Sequence, residues 1–331
     1  MSGFCHARRP ARVERRWSVA DSRFGADRLR GVSPHPPPTS AAPAVKRRLI
    51  VTADDFGASI AVNEGIEIAH RTGILTAASL MVAGAAAEDA LIRARHLPAL
   101  GVGLHLVLVE GRPALPPEQV PDLVDSTGHF RANMALAGAN MFFRPVVRRQ
   151  LAAEIEAQFA AFAATGLPLD HVNAHKHFHL HPTIAGLILR IGARYGLVAA
   201  RAPVEPLGLI GAVEPVQPTL AGRIAGPYAR SLASRFRRAG LAVPDRVLGL
   251  AWSGHMTTRR LAALIERLPS GLTEIYTHPA TQDAYPGSAP GYEYRAELAA
   301  LVDPAVKARV REQEVTLGRF ADFTTRKEDP T

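Results

Sequence analysis

A chain of 331 residues, 47% hydrophobic and 21% charged, has ample material for a packed core and the composition of an ordinary globular protein. Its net charge of +9 is unevenly spread: residues 1–48 hold 11 Lys/Arg against three Asp/Glu, so the remainder is near neutral and offers no electrostatic case for nucleic acid. The single cysteine, Cys5, excludes an intrachain disulfide and a thiolate metal site, and no run of about 18 apolar residues offers a membrane span.

Residues 1–45 are rich in Arg and Pro, include Pro36-Pro37-Pro38 and show no apolar period, which predicts a disordered tail. They lack both the apolar run of a secretory signal and the amphipathic pattern of a transit peptide. A start codon placed too far upstream is the simplest account, and a basic tether to anionic lipid is the other. One folded domain is expected over residues 46–323, with 324–331 as a short disordered tail. A reducing, cytoplasmic location fits the cysteine count.

Residues 46–52 read as a buried strand with Asp54 and Asp55 at its end, followed by a helix over 59–71 closed by Gly73. A strand over 74–82, a helix over 85–96 and a strand over 101–109 carrying His105 come next. This alternation calls for parallel β/α units. Residues 111–144 break the pattern with prolines and glycines and predict a long loop or lid. A helix over 146–164, a strand over 170–173, a helix over 183–195 and a strand over 197–202 restore it. Residues 204–226 read as irregular, and 228–238 as a basic amphipathic helix that either packs on its own domain or lies on an anionic membrane. A helix over 257–268, a strand over 273–276 and a helix over 305–320 end the chain.

The densest chemistry lies in Asp170-His-Val-Asn-Ala-His-Lys-His-Phe-His-Leu-His181, which holds five of the 13 histidines, all at odd positions. Where such a run is extended they share one face, and imidazole is the commonest protein metal ligand. Pro182 begins a helix, so the chain must turn and not all five can serve one ion. Asp54, Asp55, His105, His175, Arg201 and His278 each fall at or just past the C-terminal end of a predicted strand. In a β/α barrel those ends converge on one face, where catalytic groups gather. Neighbouring carboxylates in an extended segment point to opposite sides, so Asp54 and Asp55 can divide metal binding and general base work. His278 is held extended by Pro279 and could donate a proton, while Arg201 could pair with a site carboxylate. Each also has a plainer reading: turn or cap residues for the aspartates, a hydrogen-bonded core histidine for His105, an ion pair of little weight for Arg201.

Four ordered pieces together resemble the YdjC-like carbohydrate deacetylase family: Leu49-Ile-Val-Thr-Ala-Asp-Asp-Phe-Gly57, Gly103-Leu-His105, His171-Val-Asn-Ala-His-Lys-His-Phe-His179 and Ile275-Tyr-Thr-His-Pro279. The wording of residues 173–183 most resembles the hopanoid-biosynthesis-associated branch. The resemblance implies an α/β fold, an irregular (β/α) barrel of the glycoside hydrolase/deacetylase type, and metal-dependent removal of an N-acetyl group from an N-acetylglucosamine-bearing substrate, with a hopanoid glycolipid as one substrate and a chitooligosaccharide as another. By matching positions it implies Asp55, His105 and His175 as metal ligands, Asp54 as base and His278 as acid. Asn173, His177 and His179 are expected to contact substrate. Family members often carry Asp where this chain has Asn173. The resemblance implies Mg²⁺, whereas two histidines and one aspartate suit Zn²⁺ or Mn²⁺ at least as well. A non-catalytic metal-binding barrel is the alternative, and nothing in the sequence sets the oligomeric state.

Overall fold

A computed structural model describes residues 46–216 and 220–324; the tail expected over 1–45 and all but the first residue of that expected over 324–331 lie outside them. Strand β1 (Arg47–Phe56) is buried along almost its whole length, the signature of a central parallel strand covered on both faces. Helix α1 (Ile60–Thr72) starts where the Ser59 hydroxyl accepts from the Val62 N–H at 3.2 Å. β2 (Ala77–Leu80), α2 (Ala87–Arg95) and β3 (Gly101–Leu106) continue the alternation. α3 (Met134–Phe143) is capped by Asn133, and α4 (Pro145–Ala164) opens on a proline. β4 (Val172–Ala174) leads through a turn at His175–Leu180 into α5 (Pro182–Gly192). After α6 (Leu207–Val213) and α7 (Leu220–Arg238) come β5 (Arg246–Leu248), α8 (Thr258–Glu266) and β6 (Gly271–Thr277). α9 (Tyr294–Val302), α10 (Pro304–Glu312) and β7 (Thr316–Leu317) complete the chain.

Among the described residues the strands form one seven-stranded parallel sheet in the order β4-β3-β2-β1-β6-β5, with β7 beside the start of β1. β1 pairs with β6 from Arg47↔Gly271 to Ala53↔Thr277, and β2 joins it only from Thr52 onward. The sheet is curled into a half-barrel wrapped by helices, a single α/β domain as expected. Its open side, between β4 and β5, is bridged by residues 199–204. The Val172 N–H donates to Ala199, the Arg201 N–H to Val172, and the Val247 N–H to Val204, at 2.9–3.1 Å. The strand expected over 197–202 is therefore a run of isolated bridges, because no neighbour follows it for more than a residue or two.

Other expectations need correction. The lid region contains α3, and the irregular stretch 204–226 contains α6 and the start of α7. The closing helix over 305–320 stops at Glu312 and gives way to β7. Of the apolar stripe of the 228–238 helix, Leu232 and Phe236 are packed into the core, while Tyr228 is 39% exposed. No helix among the described residues is long and apolar enough to cross a membrane.

Candidate active site

The register of β1 against β2 slips between Ala53 and Phe56, and Asp55 takes a left-handed φ of +64°. A bulge of this kind re-aims side chains. Instead of pointing to opposite sides, Asp54 and Asp55 both line one cavity of about 420 Å³, together with His105, His175, His177 and His278.

His105, near the end of β3, sets its Nε2 at 3.3 Å from Asp55 Oδ1, and His175, the first residue after β4, sets its Nδ1 at 3.1 Å from the same oxygen. One ligand atom from each of the three residues falls within 4.8 Å of the others. The Asn173 carboxamide is oriented by its nitrogen, which donates to Asp54 Oδ1 at 3.0 Å and to the Ser79 hydroxyl at 2.9 Å. Its oxygen therefore faces His105 Nδ1 at 2.6 Å and accepts that proton. This fixes the ring with Nε2 directed at Asp55, where it is buried without a hydrogen-bond partner. A lone pair facing a carboxylate oxygen requires positive charge between them. Burial disfavours a charged His105, but the Asp54 and Asp55 carboxylates outweigh it and raise its pKa. A divalent cation can take the place of that proton, and the Asp, His, His donor set leaves positions open for water and substrate.

Behind this cluster lies a buried ion network. Arg201 is fully buried; its Nη1 and Nη2 donate to Asp54 at 2.5 and 3.0 Å, and its Nε and Nη2 to Glu274 at 2.9 and 2.7 Å. Its guanidinium also lies over the Tyr276 ring at 4.9 Å. Burial pushes the Asp54 pKa up, but the Arg201 charge and hydrogen bonds outweigh it and hold the carboxyl well below the usual range. Asp55 is likewise held low, burial being outweighed by His175 and His105. Arg201 does not line the cavity, so it acts through Asp54.

His278 leaves the end of β6. Its backbone N–H donates to Glu297 Oε2 at 2.5 Å, and its ring meets those of Tyr276 and Tyr292 at 5.4 and 5.2 Å. Gly65 of α1 lets this turn sit close, since a Cβ there would lie 2.7 Å from Ala280 Cα. The His278 Nδ1 is buried without a partner.

The histidine run is not extended beyond Ala174. Lys176 and His177 take left-handed φ values of 52° and 54°, which scatters the side chains that alternation would have aligned. His171 points away from the cavity, bonded to Ser79 and Asp170 and stacked on Phe320. His177 lines the cavity, and burial followed by the Arg201 charge pushes its pKa down to about 3, which leaves it neutral. His179 is buried behind the cavity wall with both ring nitrogens unpartnered. Asn173 is fully buried and already saturated by His105, Asp54 and Ser79. Neither Asn173 nor His179 lines the cavity, and Asn173 orients the His105 ring. Sequence reasoning missed Glu274 and Glu297. The signal for Glu274 was a carboxylate inside an apolar strand, whereas Glu297 lies in a helix that was not foreseen.

A sequence model of the YdjC-like protein family matches residues 48–312. The chain belongs to that family. It is 34% identical over 281 residues to a carbohydrate deacetylase of Geobacillus stearothermophilus, covering 84% of this chain and 98% of the relative. A human carbohydrate deacetylase is 31% identical over 302 residues, with 85% and 93% covered. A crystal structure from Enterococcus faecalis V583, of a protein named for cellobiose-phosphate cleavage, superposes with a TM-score of 0.65 at 24% identity over 85% of this YdjC-like chain and all of that one, and supports the fold alone.

Proposed function

We propose that this YdjC-like protein is a metal-dependent carbohydrate N-deacetylase. The observation that carries the reading is the convergence of Asp55, His105 and His175 beside an ionised, hydrogen-bonded Asp54 in one cavity. Curated relatives spanning nearly their whole length carry the name carbohydrate deacetylase. The substrate we assign is an N-acetylglucosamine-bearing molecule, a hopanoid glycolipid on the wording of residues 173–183 and a chitooligosaccharide as the alternative, handled in the cytoplasm.

Asp55, His105 and His175 would hold a divalent cation, which would supply the Lewis acidity that amide hydrolysis needs. Asp54 receives the water's proton. Its Oδ1 already accepts from Arg201 and Asn173, while Oδ2 accepts only from Arg201 and keeps a lone pair. Arg201 keeps this base ionised and aimed. As water oxygen bonds to the acetyl carbon and the carbon–nitrogen bond breaks, the leaving amine needs a proton, which His278 is placed to give. The Tyr276 and Tyr292 rings fix that imidazole.

Acetate release by the full chain tests the reading, on N-acetylglucosaminyl hopanoid and on a short chitooligosaccharide, each after chelation with and without added metal. Metal-restored release from the glycolipid supports the assignment, and release from the oligosaccharide alone retains the chemistry and discards the lipid. Asp54→Asn should lose activity on the order of a thousandfold or more while binding metal normally. A protein silent on both substrates would be a metal-binding barrel without this reaction.

A further inference from the structure

Helix α3 is built the wrong way round for a surface helix. It contains no charged residue, and the residues it turns to solvent are Ala135, Leu136, Ala139, Phe142 and Phe143. Phe143 is 75% exposed and Phe142 48%, and Val146, one turn on, adds 45%. A contiguous apolar face of this kind on a folded domain marks an interaction surface.

Its surroundings say what it meets. Beside Phe142 runs a groove of about 640 Å³ between α4 and α5, lined by Arg148, Arg149, Arg190, Pro182 and Leu187 among others, with no acidic residue in its wall. Among the described residues these three arginines form no ion pair, whereas neighbouring Arg144 is held by Asp122 at 2.9 Å. Exposed phenylalanines rimmed by unpaired arginines are the two halves of an interfacial anchor, one for acyl chains and one for lipid phosphate. A second copy of this chain would have to bring carboxylates to these arginines, and neither the groove wall nor α3 holds one.

We infer that α3 and the adjoining arginine groove dock the protein on an anionic phospholipid bilayer. The docking face lies near the candidate site in sequence and contact: the Phe142 ring lies 6.2 Å from that of His181, just past the turn that carries His175 and His177. The inference stands apart from the substrate assignment, since docking is measured without turnover.

Vesicle co-sedimentation of the full chain tests it, comparing phosphatidylglycerol/phosphatidylcholine vesicles with pure phosphatidylcholine at about 0.15 M salt. Binding is expected only on the anionic vesicles. The F142S/F143S variant keeps every charge, including the basic residues 1–48, yet should bind about tenfold more weakly or worse. R148A/R149A should bind more weakly and with a shallower salt dependence. Both variants should melt as the parent does and release acetate from a soluble substrate at the parent rate. Undiminished binding by F142S/F143S, or no binding by the parent, overturns the proposal. So does a concentration-dependent dimer in sedimentation equilibrium that F142S/F143S abolishes, which would give the patch to a second copy.

Discussion

Asn173 stands between Asp54 and His105 and hands each a different end of one amide. A carboxylate in its place would lie against Asp54 Oδ1, 3.0 Å away, and one of the two would have to hold a proton. The amide avoids that conflict, which gives a physical reason for Asn at this position. Asn173→Ala frees the His105 ring, so calorimetric titration of the metal-free protein with Zn²⁺ or Mn²⁺ should show affinity about 10–100-fold lower. Equal affinities would mean that packing alone holds the ring. Asp170 does different work on the far side of the same strand, accepting from His171 at 3.0 Å and from the Phe320 and Ala321 backbone. Burial pushes its pKa up, but His171 and these N–H groups outweigh it and bring it below the ordinary 3.8. A depressed carboxyl stabilises the fold above its unfolded pKa, and that contribution is lost as pH falls through the folded value. Asp170→Asn should therefore cost about 1–3 kcal/mol at pH 7, with the gap to the parent narrowing once the pH is below 3.8. Urea melts at the two pH values check this, and an unchanged gap would mean that the ionised form is not what matters.

Elements with an apolar run or a clean stripe, such as β1, β3, β6, α1 and α4, were legible in the sequence to within a few residues. Those that failed each have a physical cause. α3 has an apolar outer face, so no polar alternation marks it, and α9 buries Glu297 where a core residue would complete its stripe. β5 has three residues, too few to show a period. The candidate site was legible as a list of residues, because strand ends gather them, but not as geometry. The bulge at Asp55 and the left-handed pair Lys176 and His177 are set by tertiary contacts that no local pattern carries. Gly103 is the converse case, a residue whose meaning appears only in the fold. A Cβ there would stand 2.5 Å from the His171 ring, which crosses β3 at that point. Gly103→Ala should destabilise by about 1–3 kcal/mol and disturb the Ser79–His171 pair. Calorimetric melting reads the cost, and a neutral result would show that the ring has room to move.

For the whole molecule, Asp55, His105 and His175 come from β1, β3 and the turn after β4, so an ion held by all three would act as a clamp across the sheet. An ion at 100 times its Kd should stabilise the native state by about 2.7 kcal/mol, so chelation should lower Tm and Asp55→Ala should remove that response. A Tm indifferent to chelation in the parent would separate the cluster from any bound ion. The same logic applies to the network behind it, with a different outcome. Arg201 belongs to the segment that bridges the open side of the half-barrel, Asp54 to the central strand and Glu274 to the strand beside it. Where the backbone ladder is missing, a guanidinium serves as a tie rod between the walls. The integrity of the wall and the charge of Asp54 thus hang on one side chain, and neither can be retuned by mutation without moving the other.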